Sequence, residues 1–213
     1  MIRLPFILLL SIGLTLAACG SERNSLPGLA FGSIKNVFSR NKQPPLTTAV
    51  LRSRLTPEVR AQIGLPVLIV ELPKQKIAAV VIYNTENRGH ITWVAPDGVA
   101  IYTKSGFVTG SRGVGYDLMS SFVDASLAIV TGSGTGQATR VQTYLDGENQ
   151  QVVVRLDCHY TRDGASVYES CKAGDLAVEN QYWLNKEGEV QSSRQWAGER
   201  NGYMLIESPI FAD

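Results

Sequence analysis

The chain has 213 residues, 44% of them hydrophobic and 18% charged, which is enough apolar material for one ordinary domain with a real core. Its formal net charge is +1. That near-neutrality argues against a nucleic-acid binder, which needs clustered Lys and Arg.

Arg3 is followed by an almost unbroken apolar run from Leu4 to Ala17. The run is shorter than the roughly 20 residues of a membrane-spanning helix and fits the core of a secretory signal. It ends in Leu16-Ala17-Ala18-Cys19. Small residues directly before a cysteine resemble the lipobox of bacterial lipoproteins, where the chain is cut before the cysteine and the cysteine carries the lipid. Residues 1–18 are therefore predicted to be a signal peptide and Cys19 the lipidation site. Two or more acyl chains anchor stably, at roughly 0.8 kcal/mol per buried methylene, so the protein is expected on a membrane surface without spanning it. Gly20 stands where an Asp would resemble an inner-membrane retention signal, which points to the outer membrane, periplasmic side. Residues 19–45 are polar and rich in Gly, Pro and Asn and read as a flexible lipid-anchored tether, leaving 46–213 as a single β-rich domain.

LTPEVRAQIG at 55–64 carries helix punctuation: Thr56 as cap, Pro57 at the first position, Glu58 at the positive end and Gly64 as stop. It predicts a short helix over about 57–63. Beyond it the chain reads as strands. KIAAVVIYNT is continuous and β-branched, as expected of a strand buried on both faces. HITWVA, Pro-Asp-Gly and VAIYTK read as a hairpin, and Ser105-Gly106 turns into FVTG. Later strands are separated by Asp146-Gly147, Asp163-Gly164 and Glu187-Gly188. This spacing predicts an all-β fold, mainly an antiparallel barrel or a sandwich of meanders, with one short N-terminal helix. Trp93-x-x-x-Asp97-Gly98 and Trp183-x-x-x-Glu187-Gly188 each lead to a Ser-Arg pair, Ser111-Arg112 and Ser193-Arg194. The echo fits either a duplicated meander or a shared hairpin grammar.

Cys158 and Cys171 lie on strand-like runs either side of the Asp163-Gly164 turn. Outside the cytoplasm such a pair is expected to form a disulfide, worth roughly 3 kcal/mol for a loop of this length. A metal site using His159 is the rival, but its spacing matches no zinc pattern. Neither metal nor cofactor is predicted.

TGSRGVGYDLMS at 109–120 has the glycine density of a phosphate loop but the wrong order, with no Lys-Ser/Thr after it and no crossover helix. Gly110, Gly113 and Gly115 are instead expected to make a structural bend, with positive φ at one or more of them. Arg112 is expected to pair with Asp117 across it, and Tyr116, Leu118 and Met119 to return to the core. No catalytic residue is assigned. His90 and His159 are the only histidines, and no G-x-S-x-G elbow is present. Asp97, Asp117 and Asp124 are the carboxylates an enzyme would draw on. Strand aromatics are mostly core residues; Trp93, Trp183 and Trp196 are the candidates for stacking on sugar rings.

The lipobox at 16–19, the LTPE helix followed by PVLIVEL, and TWVAPDGVAIYTKSGFVTGSRGVGYDLMSS at 92–121 together resemble the YjbF/GfcB lipoprotein family of group 4 capsule and exopolysaccharide operons. The resemblance covers roughly residues 46–207. It implies a β-rich, periplasm-facing lipoprotein that assists assembly or export of a secreted polysaccharide, with no catalytic residues to carry over. The expected function is a non-enzymatic accessory factor. Its expected partners are the membrane, through the lipid, and either other polysaccharide-secretion proteins or the polysaccharide itself. The alternatives are a lipid or lipoprotein carrier with a hydrophobic barrel cavity, and a periplasmic polysaccharide-modifying enzyme.

Overall fold

Strand-forming runs separated by tight glycine turns leave the chain little choice but to meander. The computed structural model describes residues 46–145, 148 and 150–209; the predicted signal peptide, Cys19 and tether lie outside them. Two helices come first, α1 (Thr48–Arg54) and α2 (Pro57–Ile63). Next are β1 (Val67–Leu72), a 3-10 turn (Pro73–Gln75), β2 (Ile77–Asn87), β3 (His90–Val94), β4 (Ala100–Lys104), β5 (Phe107–Arg112) and β6 (Leu118–Phe122). Helix α3 (Asp124–Thr131) leads to β7 (Gly136–Leu145), β8 (Gln151–Asp163), β9 (Ser166–Ala173), β10 (Leu176–Leu184), β11 (Val190–Trp196) and β12 (Tyr203–Glu207).

The strands form one antiparallel sheet in the order β5-β4-β3-β2-β1-β12-β11-β10-β9-β8-β7-β6. Pairing of β12 with β1 joins the two meanders, and the sheet curls into a nearly closed barrel rather than a sandwich. The seam lies between β5 and β6. There the Leu118 N–H donates to Ser111 Oγ at 3.0 Å, and a side chain at Gly110 would meet the Leu118 carbonyl oxygen at 3.2 Å.

Helix α2 forms where its punctuation predicts, with Thr56 as cap and Gly64 in the left-handed region at φ 65. One short N-terminal helix was expected; α1 and α3 are additional. Thr47 caps α1, and Leu51, Leu55 and Ile63 bury themselves against Val67, Ile69, Val80 and Ile82. That packing explains the continuous apolar run of β2: Val81 faces the barrel interior while Val80 and Ile82 face the helices. Helix α3 begins at Val123, which gives no side-chain cap, so it carries no start signal in the sequence.

β5 and β11 stand opposite each other in the strand order and touch across the interior. Val108 N–H donates to Gln195 Oε1 at 3.0 Å, and Gln195 Nε2 donates to the Gly106 carbonyl at 2.8 Å. Gly106 has φ +83, and a Cβ there would lie 2.6 Å from Val190, so only glycine lets the hairpin tip approach this closely. This waist divides the core in two. The first chamber, inside β1–β5 and β12, holds Leu68, Val81, Trp93, Ile101, Met204 and Ile206. The second, inside β6–β11 and under α3, holds Val130, Leu156, Tyr160, Val167 and Tyr182, with Phe107 from the tip of β5.

Candidate functional site

The second chamber contains charge. Arg140 on β7 and Glu169 on β9 are both fully buried and form an ion pair at 2.9 Å. Glu169 also accepts from Tyr182 Oη at 2.6 Å, from Asn180 Nδ2 at 2.7 Å and from Tyr160 Oη. Burial works against the charge on Arg140, but Glu169 outweighs it and raises its pKa above the usual arginine value. Burial, then the charge of Glu169, raises the Tyr160 and Tyr182 hydroxyls above the tyrosine range. Both oxygens of Glu169 are occupied from inside the protein, so the network reads as architecture.

Two cavities open at the two barrel ends. One end carries α3 and the turns at 105–106 and 185–189; the other carries the bend at 113–117 and the loop at 197–202. At the helix end a cavity of about 520 Å³ opens towards the first chamber, with Leu68, Ile91 and Trp93 beneath Ser105, Glu187 and Glu189. At the loop end a cup of about 250 Å³ opens towards the second, lined by Tyr116, Tyr144, Val154, Leu176, Trp196 and Arg200.

Local chemistry builds the cup. Tyr144 and Trp196 meet edge to face, with ring centroids 6.0 Å apart. Burial raises the Tyr144 pKa, and its hydroxyl donates to Gln142 Oε1 at 2.8 Å. Gly198 has φ +104, and a Cβ there would lie 2.8 Å from the Tyr144 ring. The Arg200 guanidinium lies 4.3 Å from the centre of the Tyr116 ring and donates to its hydroxyl. Buried Asn201 donates to the backbone carbonyls of Tyr116 and Ala197, tying the 113–117 bend to the 197–202 loop.

The three candidate tryptophans fall in three separate places. Trp93 sits at the floor of the helix-end cavity, with its indole N–H donated to Thr103 Oγ1 at 2.8 Å. Trp183 lies in an outer groove with Thr48, Arg52 and Glu207. Trp196 lines the loop-end cup. The sequence echo is therefore one of turns. Gly98 N–H bonds to Ala95 O and Gly188 N–H to Asn185 O in the same pattern, yet Trp93 faces inward and Trp183 outward.

The bend forms as expected, with φ 86 at Gly113 and 105 at Gly115, while Gly110 and Arg112 lie on β5. The expected Arg112–Asp117 pair does not form. Asp117 instead accepts from Ser111 Oγ at 3.0 Å, Gly113 N–H at 2.7 Å and Val114 N–H at 3.1 Å, because the turned backbone offers its donors to the nearest carboxylate. Arg112 stands exposed. Leu118 re-enters the core, but Met119, its neighbour on β6, is turned outward by strand alternation and is 52% exposed, and Tyr116, in the bend before β6, is 41% exposed with its ring against Arg200.

Cys158 and Cys171 are bonded, directly opposite each other on β8 and β9. Glu169 lies close to both sulfurs, but these are bonded to each other, and His159 is on the opposite, exposed face of β8. His90 meets Thr109 Oγ1 at 3.3 Å at the helix end, far along the strand from the turn that holds Asp97. Asp97 accepts from Val99 N–H at 3.2 Å. Asp124 pairs with Lys104, whose hydrogen bond lowers the Asp124 pKa. Sequence reading missed Tyr144, Arg200, Arg140 and Glu169. Period-two alternation held the clue for one of them: Glu169 lies two residues before Cys171, and Tyr160 two after Cys158, so both share the cysteines' inward face.

No curated protein matches the sequence. The fold is similar to the crystal structure of the hypothetical lipoprotein YmcC from Escherichia coli K12. The TM-score is 0.61 at 12% identity, and the match covers 80% of this chain and 100% of that one, a likeness of fold alone. The family model described as group 4 capsule polysaccharide lipoprotein GfcB, YjbF matches residues 46–208, the whole barrel with its two leading helices. The chain belongs to that family of capsule polysaccharide lipoproteins.

Proposed function

We propose that the protein is a non-enzymatic accessory factor in the assembly or export of a secreted polysaccharide, held by lipid on Cys19 at the periplasmic face of the outer membrane. The family match over 46–208 carries the reading. The engagement of Asp97, Asp117 and Asp124 in a turn, a bend and an ion pair supports it over a modifying enzyme. A lipid carrier is less well supported, because Arg140, Glu169, Tyr160 and Tyr182 fill the second chamber and Leu68, Ile101 and Met204 the first. Deleting the gene is expected to lower secreted polysaccharide, and Cys19→Ser to release the protein from the outer-membrane fraction. Unchanged yield and composition in the deletion strain would overturn the accessory role, and a membrane-retained Cys19→Ser variant the anchor.

A further inference from the structure

We infer that the loop-end cup holds a single sugar ring bearing a carboxylate, so that the protein recognises acidic residues of a polysaccharide. The inference rests on the proposed role in polysaccharide secretion and names the chemistry of its ligand. Three aromatic rings, Tyr116, Tyr144 and Trp196, converge on one opening. A pyranose presents an apolar C–H face that packs on such rings, with hydroxyls around its edge for the wet rim. The cup measures about 250 Å³, just below the roughly 300–1,000 Å³ of pockets that hold drug-sized ligands, which suits one ring.

Charge selects among sugars. Arg200 lines the opening, is exposed, and is held in place by stacking on Tyr116. A guanidinium pre-organised in this way binds carboxylate in fork geometry. Glu199 shares the rim, and Lys74 reaches the same loop, its Nζ donating to the Glu199 carbonyl at 3.0 Å. Arg200 and Glu199 are the charged side chains among the lining, and Arg200 is the one that stacks on a ring of the cup, so a carboxylate would meet its guanidinium beside the Tyr116 ring. The helix-end cavity offers a carboxylate less, with Glu187 and Glu189 but no Lys or Arg among its lining and the Trp93 N–H already bonded to Thr103. The cup is also built in advance. Gly198 gives Tyr144 its place, and Asn201 clamps Tyr116 from below, so little ordering remains for a ligand to impose.

The test uses the full chain in lipid nanodiscs, with glucuronate, glucose and octanoate as probes. The readout is the indole N–H resonances of the three tryptophans. Glucuronate is expected to shift the Trp196 resonance saturably, and glucose to bind more weakly. Arg200→Gln removes the guanidinium at an exposed position, while Asn201 still holds the Tyr116 backbone and Tyr144 and Trp196 keep their edge-to-face contact. The substitution is expected to lower glucuronate affinity roughly tenfold or more, the loss of a charge-assisted hydrogen bond, and to lower glucose affinity by much less. Binding of octanoate without glucuronate would overturn the inference in favour of an acyl site. Equal affinity for glucose and glucuronate, or an Arg200→Gln variant that binds glucuronate normally, would overturn it too. If glucuronate fails to bind while gene deletion still lowers secreted polysaccharide, the inference falls alone and the accessory role stands.

Discussion

The two chambers of the barrel are equally buried but differently made. The first is apolar: Leu68, Val81, Ile101 and Met204 exclude water and need no particular hydrogen-bond geometry. The second takes Arg140 and Glu169 fully out of water and answers every oxygen of the carboxylate with donors from β7, β8 and β10. The difference teaches what each core specifies. An apolar chamber tolerates repacking at similar volume. A buried ion pair adds little net stability, because desolvation offsets the attraction, yet it penalises every arrangement that leaves one charge alone. A one-residue slip of β9 would turn Glu169 outward, strand Arg140 and part Cys171 from Cys158. The second chamber thus holds register, and the first supplies burial.

The sharpest way to break this contrast is Glu169→Ala. It leaves Arg140, Tyr160, Tyr182 and Asn180 without their common acceptor and is expected to cost about 3–5 kcal/mol in urea unfolding. A loss below about 1 kcal/mol would mean water reaches the network. Gly106→Ala acts on the waist itself. Its Cβ would strike Val190, and the positive φ adds strain, so a loss of about 1–3 kcal/mol is expected. Exchange of the Val108 amide should rise as the bond to Gln195 loosens. Ile101→Val in the apolar chamber is expected to cost only about 1 kcal/mol, with no change in pH dependence.

The smallest effect is spectroscopic. Burial holds the Tyr144, Tyr160 and Tyr182 hydroxyls above their ordinary range in the folded protein. In the unfolded chain they ionise near pH 10. Folding therefore keeps protons that the unfolded state loses: the stability is full below about pH 10 and falls as pH rises above it. A tyrosinate absorbance titration should leave these three of the eight tyrosines silent until circular dichroism reports unfolding. Reversible ionisation of Tyr160 and Tyr182 in the still-folded protein would show the second chamber open to solvent.

Much of the fold was legible because its signals are local. Thr56, Pro57 and Gly64 bound α2, and the Gly98, Gly106, Gly164 and Gly188 turns lie where the dipeptides put them. The Asp163-Gly164 turn between two strand-like runs pointed to the pairing of Cys158 with Cys171. α3 escaped notice for want of a cap. The Arg112–Asp117 pair was misjudged because opposite charges say nothing of backbone N–H groups turned towards a carboxylate. The cup was invisible in the sequence, since Tyr116, Tyr144 and the stretch from Trp196 to Arg200 are far apart along the chain and none bears a motif.

The sequence by itself determined that the chain is a meander of antiparallel strands, where it turns, which cysteines join, and the family it resembles. Those properties rest on period-two alternation, glycine conformations and short-range spacing. Only the tertiary structure decided that the sheet closes into a barrel instead of splitting into a sandwich. It alone decided that β5 crosses to β11 and divides the core, that Arg140 finds Glu169, and that three tryptophans part to three places. Each of those outcomes depends on which strand lies opposite which, and that is settled only when β12 pairs with β1 and the sheet curls round on itself.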